Sequence, residues 1–73
     1  MRAQILAYQG SKMTTTPIEW PDAVPLQENC IVTWDETGRS YRGQVSQVIL
    51  DFRRGGPPPT LVVRDPKPIA PLS

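Results

Sequence analysis

The stretch that decides the fold is CIVTWDETGRSYRGQVSQVI, residues 30–49. Its first part alternates, with Cys30, Val32 and Trp34 on one face and more polar side chains on the other, as in a strand buried on one side. The tetrapeptide DETG, residues 35–38, then supplies turn residues, with a final glycine for a positive φ. We therefore predict a β-hairpin whose strands cover residues 28–35 and 40–52.

Outside this hairpin the pattern is also β. The alternation of the second strand changes phase between Val45 and Val48, which predicts a β-bulge or a sharp bend. TLVVRD, residues 60–65, predicts a third strand, and Ile69 is a candidate for a short edge strand. No helical periodicity of useful length is present. The sequence therefore predicts an all-β fold, a small β-barrel of about five strands.

Nine prolines among 73 residues suggest how the chain is divided. Those of the segment 14–25 exclude a helix interior or a central strand there. We therefore expect an extended N-terminal arm, the barrel core and a proline-rich C-terminal tail, over residues 1–25, 26–65 and 66–73. Within the arm, residues 1–12 suit either a strand or a docking segment, and Met13 offers an alternative start.

Composition excludes several kinds of site. There is no histidine, Cys30 is the single cysteine, and the formal net charge is +1. A histidine triad, a Cys/His zinc site and an internal disulfide framework therefore cannot be assembled within one chain. Gly55 and Gly56 lack the lysine and the helix of a phosphate-binding loop. We expect no enzyme activity, no metal and no cofactor.

The same composition bears on location and on the size of the core. No apolar run approaches the ~20 residues of a membrane span, and the start lacks the layout of a signal peptide. We expect a cytoplasmic protein, or a virion component if a phage encodes it. Hydrophobic residues make up 38 % of the chain, so residues 26–65 alone form a marginal core. We expect additional buried surface to come from the first 25 residues, from a second copy of the chain or from a partner.

Residues 30–49 resemble the opening hairpin of SH3-like barrels of the Tudor and KOW kind, and with residues 60–65 the resemblance covers about half of the chain. The residues that carry it are Trp34, Asp35, Gly38, Tyr41, Arg42, Gly43 and Val45. The Tudor resemblance implies an aromatic cage for methylated lysine or arginine, with Trp34 and Tyr41 as its walls. The alternative is that both rings pack the end of the barrel. The KOW resemblance implies contact with nucleic acid.

One enzyme family of SH3-like barrels is excluded on the same residues. The run Tyr41 to Val45, YRGQV, is similar to a stretch of the type II dihydrofolate reductases. Their central pore uses a Val-Gln-Ile-Tyr run, whereas LVVRD at residues 61–65 has neither the glutamine nor the second tyrosine. We therefore do not expect this activity.

Two binding functions remain. The leading expectation is a protein-protein interaction or assembly subunit, of the size of a phage, plasmid or bacterial accessory protein, that binds through Trp20, Ile18, Trp34 and Tyr41. The arm residues among these suit equally well the packing of the arm onto the chain's own core.

The competing expectation is a nucleic-acid-associated module. Its candidate cations are Arg53, Arg54, Arg64 and Lys67, which make the C-terminal part of the chain net basic. A solvated turn also explains the two adjacent arginines.

Overall fold

A computed structural model describes residues 1–69, whose strands form one mixed β-sheet. Its strands are β1 (Arg2–Gln9), β2 (Lys12–Glu19), β3 (Ile31–Glu36), β4 (Arg39–Ile49), β5 (Thr60–Arg64) and β6 (Lys67–Pro68). The strand order is β2-β1-β5-β4-β3, with the short β6 beside β4. β1 and β5 are parallel, and the other pairs are antiparallel.

The sheet curls into an open half-barrel, with the core on its concave face. Nine buried residues form one cluster: Ala3, Ile5, Ala7, Trp20, Val32, Trp34, Val45, Leu61 and Val63. Along β1, β3 and β4 they alternate with more exposed residues, as the period of two requires, whereas in β5 Val62, between Leu61 and Val63, is buried as well. All-β architecture is confirmed, and its barrel-like curvature too. The barrel is not closed, because β2 and β3 are the two ends of the strand order.

The predicted hairpin is confirmed, with shifted ends. β3 starts at Ile31 rather than residue 28, because Asn29 has a φ of 69° and interrupts the extended chain. Thr37 and Gly38 have φ values of 51° and 76°, which is a two-residue turn of type I′, the turn that matches the twist of a hairpin. The predicted bulge is confirmed as a register shift between Val45 and Gln47.

The N-terminal segment differs from the extended arm that its prolines suggest. β1 and β2 form a second hairpin through a turn at Gly10, whose φ is 61°. β1 lies inside the sheet, between β2 and β5, and buries Ile5 and Ala7 completely. The physical reason is a pairing that joins residues far apart in sequence, such as Leu6 and Val62. The first 25 residues thus supply part of the additional core that residues 26–65 were expected to need.

The start of the predicted tail also joins the sheet. β6 pairs with Tyr41 and Arg42 of β4, and the Ile69 N–H donates a 2.8 Å hydrogen bond to the Ser40 carbonyl. A short strand therefore forms at the start of the predicted tail, at Lys67–Pro68, and Ile69, which was the candidate for it, follows directly after. The rest of the predicted tail, residues 70–73, lies outside the described residues.

Candidate functional site

The sheet has two free edges, and backbone geometry shows which groups each edge presents. Just after β2, Trp20 exchanges hydrogen bonds with Met1. Its N–H donates to the Met1 carbonyl at 2.7 Å, and its carbonyl accepts from the Met1 amino group at 3.1 Å. Bonding alternates along an antiparallel pair, so three residues earlier Pro17 turns its backbone away from β1. Proline has no N–H to offer there. The outward edge of β2 is therefore interrupted in its middle.

The β3 edge lacks such an interruption. The Val45 N–H donates to the Cys30 carbonyl at 2.9 Å, and the Val45 carbonyl accepts from the Asn29 N–H at 2.7 Å. By the same alternation, Val32 and Trp34 bond to β4 while the residues between them face outward. These outward residues are Ile31, Thr33 and Asp35. In the part of the chain that the structure describes, no strand lies beside them.

Side chains around the β3 edge are apolar at one end and acidic at the other. The Ile31 side chain is 53 % exposed on the convex face. At the far end Asp35 accepts a 2.6 Å hydrogen bond from the Ser40 hydroxyl, next to Glu36 and the turn. Leu50 and Phe52, the latter 90 % exposed, follow the end of β4 that β3 does not reach, so Ile31 is the exposed apolar side chain at this edge. An exposed apolar side chain beside unpaired backbone groups forms a surface suited to another strand.

The aromatic residues proposed from the sequence as partner contacts lie beneath this edge. Trp34 is buried, and its ring stacks on that of Tyr41 with centroids 6.0 Å apart and planes at 24°. The Trp34 indole N–H donates to the Glu36 carboxylate at 3.3 Å. Gly43 lies against the same indole, since a Cβ there would be 3.4 Å from Trp34. The pair therefore belongs to the packing at the end of the core, and binding of a partner by it stays a prediction.

Trp20 and Ile18, the other predicted partner contacts, also pack inward. Trp20 is 8 % exposed and its indole N–H donates a 2.8 Å hydrogen bond to the Val24 carbonyl. Ile18 is half-buried against the core cluster. This placement fits the alternative in which the segment packs onto the chain's own core, and it leaves little of Trp20 for contact with another protein.

The predicted cations do not form one group. The Arg53 guanidinium forms an ion pair with Asp51, in which its Nη2 and Nε donate to Asp51 Oδ2 at 2.7 Å and 3.0 Å. The Arg53 backbone N–H also donates to Asp51 Oδ1, at 2.9 Å. These bonds, the side-chain one first, lower the pKa of the Asp51 carboxyl below its usual range. The Arg53 side chain is exposed and the Asp51 side chain is half-buried, so the pair orders the β4–β5 loop and adds little to stability.

Arg54 is exposed in the same loop as Arg53. Arg64 and Lys67, by contrast, lie on the convex face, which also carries Arg42, a cation that was not predicted as a site residue. Lys67 of β6 lies directly opposite Arg42 of β4, and like charges in this position repel. Arg64 follows at the end of β5, opposite Tyr8 of β1 on the same convex face. The signal for Arg42 was its position between Tyr41 and Gly43 in an alternating strand. The cation cluster is defined here as Arg42, Arg64 and Lys67.

The Cys30 thiol is half-buried and donates to the Gln27 carbonyl at 3.0 Å. Residues 1–69 contain no group of three metal-ligating side chains that could hold an ion. Within this range no helix is long and apolar enough to cross a membrane. No protein-family model, curated protein or solved structure matches the chain.

Proposed function

We propose that this protein is a non-catalytic interaction or assembly subunit that binds a protein partner by adding a strand to β3. The observation that carries the proposal is the uninterrupted outward edge at Ile31, Thr33 and Asp35, in a sheet whose other edge contains Pro17. Strand addition draws its affinity from main-chain hydrogen bonds and its specificity from the side chains beside the edge. The half-barrel is of the SH3-like kind in this proposal, and its site of action is the cytoplasm or a virion.

A proline substitution tests this use of the edge. In Thr33→Pro the outward N–H of β3 is lost while the bonds between β3 and β4 are kept, because Thr33 lies in a non-bonded pair with Arg42. Thr15→Pro is the matched control, since Thr15 is an exposed outward residue of the already interrupted β2. We expect the first variant alone to lose protein partners, including other copies of the chain, in affinity capture and in light scattering. Equal binding by wild type and Thr33→Pro would contradict the proposal.

The cation cluster supports a second candidate function, binding of single-stranded nucleic acid. Among residues 1–69, no acidic side chain forms an ion pair with Arg42, Arg64 or Lys67. Tyr8, 37 % exposed and beside Arg64, offers a ring on which a base can stack. Phosphates would relieve the repulsion between Arg42 and Lys67.

Salt dependence distinguishes this candidate. For a single-stranded oligonucleotide, each lost phosphate contact reduces the slope of log K against log salt by about 0.7. We expect a smaller slope in fluorescence anisotropy for Arg42→Ala with Lys67→Ala, and an unchanged one for Arg53→Ala with Arg54→Ala. Binding that is absent at low salt, or that falls only with the loop pair, contradicts a nucleic-acid site at the cluster.

A further inference from the structure

The free β3 edge also indicates which partner it accepts. We infer that the strand added to β3 is β3 of a second copy, paired antiparallel about a twofold axis. This rests on the proposed use of the β3 edge and names its partner. The two half-barrels then form one continuous sheet, in which the concave faces lie on the same side.

Charge favours this partner in an antiparallel arrangement. Both acidic residues of β3, Asp35 and Glu36, lie at its C-terminal end, and the exposed Ile31 lies at its N-terminal end. A parallel copy would set the carboxylates of the two chains side by side, which is unfavourable. An antiparallel copy keeps them at opposite ends of the pairing. The strand is thus electrostatically self-compatible in one direction only.

Backbone alternation narrows the register of that pairing. Hydrogen-bonded pairs must join outward residues, which are Ile31, Thr33 and Asp35. A pairing of Ile31 with Thr33 of the second copy satisfies this rule twice, because the twofold repeats it. It places Val32 on the axis and keeps the two Asp35 side chains at opposite ends of the pairing. A register with Thr33 opposite Thr33 also obeys the rule and sets Asp35 opposite Ile31, whereas registers shifted further toward the turn bring the two Asp35 side chains together.

Core size favours a second copy over a foreign chain. The concave cluster contains nine buried residues, of which two are alanines, and cores of this size are often completed by oligomerisation. In the inferred register the Val32 and Trp34 layers of both copies become neighbours across the axis. A second copy is present wherever the chain is made, so this support depends only on the concentration of the chain itself.

Hydrogen exchange on the unmodified protein, read beside its solution mass, tests the inference. In the dimer the Ile31 and Thr33 amides are bonded between chains, so we expect both to be protected from exchange. The outward amides of Met13 and Thr15 on β2 have no such partner and exchange fast in any case. Light scattering should give twice 8.2 kDa, and dilution should remove the protection of Ile31 and Thr33 alone.

Thr33→Pro measures the pairing directly. Each dimer loses two hydrogen bonds, one from each chain, so we expect a dissociation constant about thirtyfold higher, with Thr15→Pro unchanged. A monomer at all concentrations, or a dimer whose Thr33 amide exchanges as fast as that of Thr15, overturns the inference. If the monomer still captures a different protein and Thr33→Pro abolishes the capture, the proposed function stands and only the second copy is excluded.

Discussion

The two edges of the sheet solve the same physical problem in different ways. Every edge strand exposes a row of unpaired N–H and C=O groups that can template another chain. On β2 the row is broken at Pro17, whose missing N–H lies on the free side. On β3 the row runs without a break from Ile31 to Asp35. The difference indicates that one edge is protected from pairing and the other is available for it.

The edges also differ in what holds them to the sheet. β2 pairs along its whole length with β1, from Lys12 to Glu19. β3 pairs with only the first half of β4, and it is held from below by the Trp34 ring against Gly43. The available edge thus depends on close packing at a few positions.

The largest expected effect is that of Gly43→Ala, which should disturb the packing beneath the β3 edge and leave the β2 edge intact. A Cβ at Gly43 would collide with Val63 Cγ1, and Gly43 pairs directly with Val32 of β3. We expect the free energy of unfolding to fall by about 3 kcal/mol, at the upper end of overpacking costs. Urea denaturation followed by tryptophan fluorescence measures it.

Thr33→Ala is the control for this variant. It removes an exposed side chain from the same strand and should change stability by less than about 0.5 kcal/mol. If Gly43→Ala were as stable as this control, β4 and β5 would have room that the structure does not show.

The next effect in size is on association, through Pro17→Thr. The substitution restores the missing outward N–H of β2, so both edges of each molecule become able to pair. Two open edges permit growth without closure. We expect species larger than a dimer in light scattering, at concentrations where the wild type stops at two copies. Pro21→Thr, outside the strands, is the control, and identical masses for both variants would mean that Pro17 does not protect the edge.

The contrast between the edges was only partly predictable from the sequence. Alternation in residues 30–34 predicted the two faces of β3, and the phase change before Val48 predicted the bulge. The pairing of β1 with β5 was not predictable, because Leu6 and Val62 are far apart in sequence and carry no local signal. Without that pairing, β1 and β2 look like an arm, and the edges of the sheet cannot be identified.

The cation cluster shows the same limit. Strand alternation places Arg42 on the convex face from sequence alone. Its neighbour Lys67 depends on the register of β6, which follows a turn where Asp65 has a φ of 49°. Positive φ at an aspartate is uncommon and is set by the surrounding fold. Local patterns thus predicted the faces of the strands, and long-range pairing decided which residues meet.

The smallest expected effect is that of Thr14→Val, which should stabilise β2, the protected edge strand, without changing its outward backbone groups. The Thr14 hydroxyl oxygen is buried on the concave side of β2 and has no hydrogen-bond partner among residues 1–69. An unsatisfied buried hydroxyl costs about 1 kcal/mol or more. Thr14→Val removes it at nearly constant shape, so we expect the melting temperature to rise by about 4–8 °C for a domain of this size.

Thr16→Val is the matched control for Thr14→Val, because Thr16 faces the same side two residues along β2 and is also half-buried. Its melting temperature should change less. Neither variant touches an outward backbone group, so the dissociation constant of the dimer should stay at the wild-type value in both. A lower melting temperature for Thr14→Val would mean that the hydroxyl makes a bond the fold needs. A changed dissociation constant would mean that the β2 edge takes part in association, which would remove the contrast with β3.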